Sequence, residues 1–285
     1  MPSTLLEFAA LADALLPAVL EAGALEMRYF RSGVTVDHKS DLSPVTAADR
    51  EAEVILLAAL HRIAPKIPVI AEEAASVGNI PTVGSTFFLV DPLDGTREFI
   101  SGSEDFTVNI ALVRDGTPYF GMVYAPATGQ LFAGLGTTGE PGSAIEVQIV
   151  GDMSQIRHLA DLNPHAIHCR TADLAALTVV SSRSHRTAEV EQFLSPFNVR
   201  ERRHVGSSLK FAAVARGDAD LYPRFGSINE WDTAAGHAVL VAAGGTVTTF
   251  DGRPLTYGKV AAKYLNPDFI AWGSPELAKR LLNTA

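Results

Sequence analysis

The chain has 285 residues, 47% hydrophobic and 19% charged, and its 23 Lys and Arg against 32 Asp and Glu give a formal net charge of −9. This is a composition that folds around a sizeable core, as one large domain or two fused halves, and it excludes a mainly disordered chain. The acidic balance argues against a protein built to grip a nucleic-acid polymer, but a small polyanion stays open as a partner if a metal ion supplies positive charge.

In chain order, the first predicted element is a helix over about residues 4–30. Leu5, Phe8, Leu11, Leu15, Leu16 and Val19 recur at helical spacing. Glu7, Asp13, Glu21 and Glu26 interrupt the apolar run, and no Lys or Arg precedes it. A signal peptide and an integral membrane span are therefore not expected. Pro17 predicts a kink, or a break into two helices. A second helix follows over about 46–63, with Thr46 as N-cap and Val54, Leu56, Leu57 and Leu60 as its apolar positions.

Strands are predicted at about 68–70, 87–90, 107–113, 119–124 and 130–133. Asp115-Gly116 and Thr128-Gly129 between such runs suit the turns of an antiparallel meander. Residues 136–177 read as irregular, and a seam placed there divides the chain into halves 1–140 and 141–285. Beyond it come strands at about 178–181, 199–204, 219–222, 246–248 and 269–272, interspersed with helices at about 186–194, 207–216, 231–243 and 274–282. Helices, then antiparallel strands, then a mixture make an α+β chain rather than a regular βαβ repeat. The single cysteine, Cys169, cannot close an intramolecular disulfide, which suits a reducing compartment.

The chemistry concentrates in a few acids. In Phe87-Phe88-Leu89-Val90-Asp91-Pro92-Leu93-Asp94-Gly95-Thr96 an apolar strand ends on a stiff turn and delivers two carboxylates. Such a turn suits a hard cation held through oxygen, although apolar strands also end in solvated Asp and Gly. Ile70-Ala71-Glu72-Glu73 is another apolar strand ending in acids; adjacent side chains on a strand point to opposite faces, so one of the two is expected inward. Asp49 and Asp232 each fall in the first turn of a predicted helix, where complementing the helix dipole is the bland explanation. Gathered by a fold, Asp49, Glu72, Asp91, Asp94 and Asp232 would repel one another, and divalent cations remove that cost. An all-oxygen donor set without His or Cys favours Mg²⁺ over Zn²⁺. Two Mg²⁺ ions about 4 Å apart clamp the attacking and leaving oxygens of an in-line phosphoryl displacement.

Asp91-Pro92-Leu93-Asp94-Gly95-Thr96 with Trp231-Asp232-Thr233-Ala234-Ala235-Gly236 resembles the paired signature of the inositol monophosphatase superfamily. Further segments are similar to its CysQ-type 3′(2′),5′-bisphosphate nucleotidases. These are Lys39 to Asp49, Val180 to His185, Gly206 to Phe211, Ala219 to Gly226 and Tyr264 to Pro267. The likeness runs from about residue 5 to 275 and is thin around 136–177.

The resemblance implies a layered α/β/α/β/α sugar-phosphatase fold, with a mostly antiparallel N-terminal sheet and a mixed C-terminal sheet. It implies a Mg²⁺-dependent, lithium-sensitive enzyme of sulfur assimilation that uses two or three ions. The expected reaction converts adenosine 3′,5′-bisphosphate to AMP and phosphate, and adenosine 3′-phosphate 5′-phosphosulfate is a further implied substrate. Glu72, Asp91, the Leu93 carbonyl, Asp94 and Asp232 are the implied metal ligands, and Asp49 with Thr96 the implied water-activating pair. Several of these also face substrate: Glu72, Leu93, Asp94, Asp232, and Gly95 and Thr96 through their amides. His185, Ser207, Lys210 and Arg224 are implied to hold the nucleotide and its second phosphate. A cytoplasmic place is implied, with peripheral attachment at the inner membrane as an alternative, and both monomer and homodimer stay open. An inositol-1-phosphatase or fructose-1,6-bisphosphatase is the same-class alternative, and a metal-dependent nucleotide sensor without turnover is the alternative from another class.

Overall fold

The computed structural model of the protein describes residues 2–33, 35–39, 44–135, 144–151, 153, 156–181 and 188–282. The chain opens with α1 (Pro2–Ser32), the ribbon strands β1 (Val36–His38) and β2 (Pro44–Thr46), and α2 (Ala47–Ile63). Then come β3 (Val69–Ala71), α3 (Glu72–Ser76), β4 (Thr86–Asp94) and α4 (Thr96–Ile100). β5 (Thr107–Arg114), β6 (Thr117–Ala125), β7 (Gln130–Leu135), β8 (Ala144–Gln148) and β9 (His165–Ala166) follow. The remainder is β10 (Leu177–Ser181), α5 (Ala188–Leu194), β11 (Val199–His204), α6 (Leu209–Ala215), β12 (Leu221–Arg224), β13 (Ile228–Asn229) and α7 (Trp231–Ala242). β14 (Thr246–Thr249), β15 (Leu265–Asn266), β16 (Phe269–Trp272) and α8 (Pro275–Leu282) end the described chain.

A seven-stranded sheet runs in chain order from β3 to β9, antiparallel except for the β3/β4 pair. A five-stranded mixed sheet has the order β11-β10-β12-β16-β14. Alternation along strands sorts their side chains into layers. On β4, Phe88 and Val90 join the core beneath α1 and α2, whereas Phe87 and Leu89 join the core shared with α6 and α7. The second sheet does the same: Tyr222, Phe269 and Ala271 face that central core, and Leu221, Ile270 and Trp272 pack under α5 and α8. The result is the expected α/β/α/β/α layering.

α7 lies very close to the first sheet. A Cβ on Gly134 would come 2.7 Å from the Val239 Cα, so this approach needs glycine. The close packing fixes the height at which the α7 N-terminus, and hence Asp232, stands over the strand ends.

Three sequence expectations change. Pro17 neither breaks α1 nor divides it: one helix spans Pro2–Ser32. An interior proline costs about 3 kcal/mol. Leu15, Leu16, Val19 and Leu20, on both sides of it, are buried against the sheet, and each such burial is worth roughly 1.5–3 kcal/mol. The 136–177 stretch is less irregular than its composition suggests, because β8 and β9 extend the first sheet. The strand expected at 219–222 sits two residues later, which carries Arg224 to its end. The segment Phe8–Ser32 of α1 is long and apolar enough, by length and composition, to cross a bilayer; 56% of its most apolar window is buried inside the protein.

Candidate active site

The site forms where four chain segments end beside one another. The first is the end of β4. On a regular strand, residues three apart point to opposite faces. Here Asp91 pairs with Asn109 and Asp94 with Thr107 on β5, so β4 spends three residues where β5 spends two. That extra residue is a bulge, and it turns the two carboxylates to the same side. Pro92, with no N–H to offer a ladder, suits this position. The Leu93 N–H turns back to bond Asp91 Oδ1 at 3.1 Å. Gly95 then takes φ +98, and a Cβ there would stand 2.9 Å from the Asp105 carbonyl oxygen, so glycine is required on both counts.

The second segment is the start of α2. Thr46 caps it in a reciprocal capping box: the Ala48 N–H bonds Thr46 Oγ1 at 3.1 Å, and the Thr46 N–H and hydroxyl donate to Asp49 Oδ2 at 2.8 and 2.7 Å. The other oxygen, Asp49 Oδ1, accepts from the Thr96 hydroxyl at 3.0 Å. Asp49 and Thr96, paired in the sequence reading, are in contact. Burial raises the Asp49 pKa, and the bonds from Thr46 and Thr96 oppose the rise.

Glu72 opens α3 as the third segment. The α3 start is held by Glu53 of α2, whose two oxygens accept from the Glu73 and Ala74 N–H groups at 2.7 and 2.9 Å. Lys39 bridges Glu72 and Glu73, at 2.6 Å to each. The fourth segment is the first turn of α7, where Asp232 Oδ2 accepts from the Asn229 N–H at 3.1 Å.

Glu72, Asp91 and Asp232 each offer an oxygen, all within 4.8 Å of one another. Burial, and after it the neighbouring acids, drive the Asp91 and Asp232 pKa values well above the carboxylate range. Asp94 is pushed up to about 6, chiefly by burial, with Lys210 and the Ser208 hydrogen bonds pulling the other way. Buried oxygens that repel one another and have few protein donors fit a hard divalent cation.

Beside the acids lies a pocket of about 390 Å³, and its walls include Asp94, Gly95, Ser207, Lys210, Arg224 and Asp232. Among the described residues, the Arg224 Nε and the Tyr222 hydroxyl are buried there without a hydrogen-bond partner. Burial lowers the Lys210 pKa; Asp94 opposes that and Arg224 adds to it. The acids thus stand next to a small basic chamber, an arrangement that can take an anion through cations on one side and fixed positive charge on the other. A second cavity, about 730 Å³, is lined by Lys39, Glu72, Trp231 and Tyr264 and shares Asn229 with the first. The expected site residues Asp49, Glu72, Asp91, Leu93, Asp94, Gly95, Thr96, Ser207, Lys210, Arg224 and Asp232 all border this region. His185 lies outside the described residues.

Sequence reasoning missed Glu53, Asn109 and Ser208. Glu53 is one turn after Asp49 on the buried face of α2, and Asn109 stands in the apolar run of β5. A polar residue inside an apolar face was the available signal in both cases.

The sequence profile of the inositol monophosphatase family matches residues 8–283. The chain is similar to the 3′(2′),5′-bisphosphate nucleotidase CysQ of Shigella flexneri, at 42% identity over 81% of this chain and 86% of that one. Similarity to the same-named protein of Escherichia coli O157:H7 is 40%, over 87% of this chain and 94% of that one. Among solved structures, CysQ from Bacteroides thetaiotaomicron superposes with a TM-score of 0.75 at 36% identity, covering 94% of this chain and 98% of that one. An inositol monophosphatase from Anabaena superposes with a TM-score of 0.71 at 27% identity, covering 96% and 94%.

Proposed function

The chain belongs to the inositol monophosphatase family, and from that premise we propose that it is a 3′(2′),5′-bisphosphate nucleotidase. It removes the 3′-phosphate of adenosine 3′,5′-bisphosphate, giving AMP and inorganic phosphate, and the sulfated form of that nucleotide fits the same site. The observation that carries the reading is the junction of a buried carboxylate cluster with a pocket holding Lys210 and Arg224. A bisphosphate needs both: one phosphoryl group to be cleaved and one to be held.

Glu72, Asp91, the Leu93 carbonyl, Asp94 and Asp232 hold two or three Mg²⁺ ions in this proposal. When bound, the ions neutralise phosphate charge, lower the pKa of the attacking water and stabilise the leaving oxygen. Asp49 accepts a proton from water as the water oxygen attacks phosphorus; the bond to the 3′-oxygen breaks, and that oxygen leaves and takes up a proton from solvent. Burial helps this role, because a base with a raised pKa takes a proton more readily near neutral pH. The Thr96 hydroxyl, donating to Asp49 Oδ1, keeps a lone pair with which to orient the water. The Gly95 and Thr96 amides face phosphate oxygens. Lys210 and Arg224, with Ser207 and His185, hold the nucleotide and its 5′-phosphate. Arg224 suits that task because its planar fork matches phosphate oxygens.

This enzyme would be cytoplasmic, with a small nucleotide rather than a nucleic-acid polymer as its partner, in keeping with its net charge of −9. Side-by-side kcat/KM values for adenosine 3′,5′-bisphosphate, inositol 1-phosphate and fructose 1,6-bisphosphate test the substrate choice. The bisphosphate nucleotide is expected to lead, and a preference for inositol phosphate overturns it.

A further inference from the structure

Between the acids and the basic chamber runs a buried chain of hydrogen bonds that neither flank explains by itself. Asn109 projects from β5, and Ser208 precedes the first turn of α6. Each is 1% exposed. The Asn109 Nδ2 donates to Ser208 Oγ at 2.9 Å and lies 3.4 Å from Asp94 Oδ2. The Ser208 hydroxyl in turn donates to the Asp232 carbonyl at 2.8 Å. One amide and one hydroxyl therefore join β4, β5, α6 and α7 at a single point.

Ser208 also stands between the two side chains of α6 and its approach that face the pocket. Ser207, just before it, is held at φ +45, a backbone region that non-glycine residues rarely occupy. Lys210, two residues after it, is buried with its ammonium 5.7 Å from the Tyr222 ring centroid. The other end of the segment is fixed as well, since the Gly206 N–H donates to Asp105 Oδ2 at 2.9 Å. The backbone that carries Ser207 and Lys210 is thus tied to Asp94 and Asp232 through Ser208, by its link to Asn109, its bond to the Asp232 carbonyl and its own hydrogen bonds to Asp94.

We infer that Asn109 and Ser208 are positioning residues that couple the two flanks of the site, so that cation binding at Asp94 and Asp232 tightens anion binding at Ser207 and Lys210. Asp94 and Lys210 line the same pocket, and the Asn109–Ser208 link keeps them in register, so a shift at Asp94 on binding a cation is felt at Lys210 as a change of affinity. Such coupling is reciprocal and typically amounts to 5- to 150-fold. The inference rests on the phosphatase reading for its ligands.

The test is titration calorimetry with AMP, which is a product and is not turned over. Wild type, Ser208→Ala and Asn109→Leu are each measured with Mg²⁺ and with EDTA. In the wild type, Mg²⁺ is expected to tighten AMP roughly tenfold or more. In each variant that ratio is expected to fall to about threefold or less, while Mg²⁺ alone still binds and far-ultraviolet circular dichroism is unchanged. Ser208→Thr keeps the hydroxyl and is expected to restore most of the ratio, a rescue that a general packing defect would not give. Variants that keep the wild-type ratio overturn the coupling. If AMP fails to bind the wild type under either condition, the nucleotide reading falls, and the coupling that rests on it falls too.

Discussion

The acid flank and the basic flank of the site are built in opposite ways. On the acid flank, backbone turns and short hydrogen bonds hold the carboxylates before any ligand arrives: Asp49 accepts from Thr46 and Thr96, Asp91 from its own turn, and Asp232 from Asn229. On the basic flank, the Arg224 Nε and the Tyr222 hydroxyl are buried without partners among the described residues. Leaving buried donors unpaired costs about 1–3 kcal/mol each, which a bound anion can return. The acid side is set in place by the fold, whereas the basic side is completed by what it binds.

If that contrast holds, the largest effect comes from the acid flank. Asp49→Asn is expected to lower kcat by roughly 10²–10⁴, the range typical of a lost general base, with AMP affinity by calorimetry nearly unchanged. Survival of wild-type turnover in this variant removes Asp49 from the proposed chemistry. Next is Arg224→Ala, which should raise KM for the bisphosphate nucleotide by tenfold or more, a cost of about 1.4 kcal/mol or above, and change kcat far less. An effect confined to kcat would mean that Arg224 acts on the reacting phosphate instead of the distal one.

Two smaller effects separate site from scaffold. Glu26 of α1 is fully buried, and among the described residues neither of its oxygens has a hydrogen-bond partner. Burial, then the charge of Asp49, raises its pKa well above the usual carboxylate value. A carboxyl whose pKa is higher in the folded chain stabilises the fold at low pH and loses that contribution as pH rises through the folded value. Glu26→Leu should therefore gain roughly 1–3 kcal/mol at pH 8 and much less at pH 5, read from denaturant unfolding with Mg²⁺ removed. An equal change at both pH values would show that the effect is packing alone.

His237, midway along α7, has the opposite sign. Burial, and then Lys259, lowers its pKa to about 3. The folded protein thus declines a proton that the unfolded chain accepts near pH 6.5, so stability falls as pH drops from about 6.5 towards 3, by up to about 1.4 kcal/mol per pH unit. His237→Gln should flatten that acid limb without altering kcat or KM at pH 7.5. A change in kinetics there would extend the site further along α7 than its first turn.

Much of this was legible in the chain because it is local. The Thr46 cap, the helix start at Asp232 and the apolar run that ends at Asp91 are short-range patterns, and each is found where it was expected. What stayed hidden depends on register or on distant segments. Nothing near Asp91 announces the bulge, which is defined only against Asn109 and Thr107 of the neighbouring strand. The role of Glu53 appears only once α3 is laid across α2, and Ser208 matters through partners 99 and 24 residues away. Pro17 misled for a related reason: a local propensity was outweighed by burial against a sheet made from later sequence.

The central claim is Mg²⁺-dependent removal of one particular phosphate. The direct measurement is ³¹P nuclear magnetic resonance of adenosine 3′,5′-bisphosphate incubated with the protein, in Mg²⁺ and in EDTA. The expected result is inorganic phosphate and 5′-AMP in the Mg²⁺ sample and unchanged substrate in the EDTA sample. Accumulation of 3′-AMP, or equal hydrolysis in both samples, would contradict it.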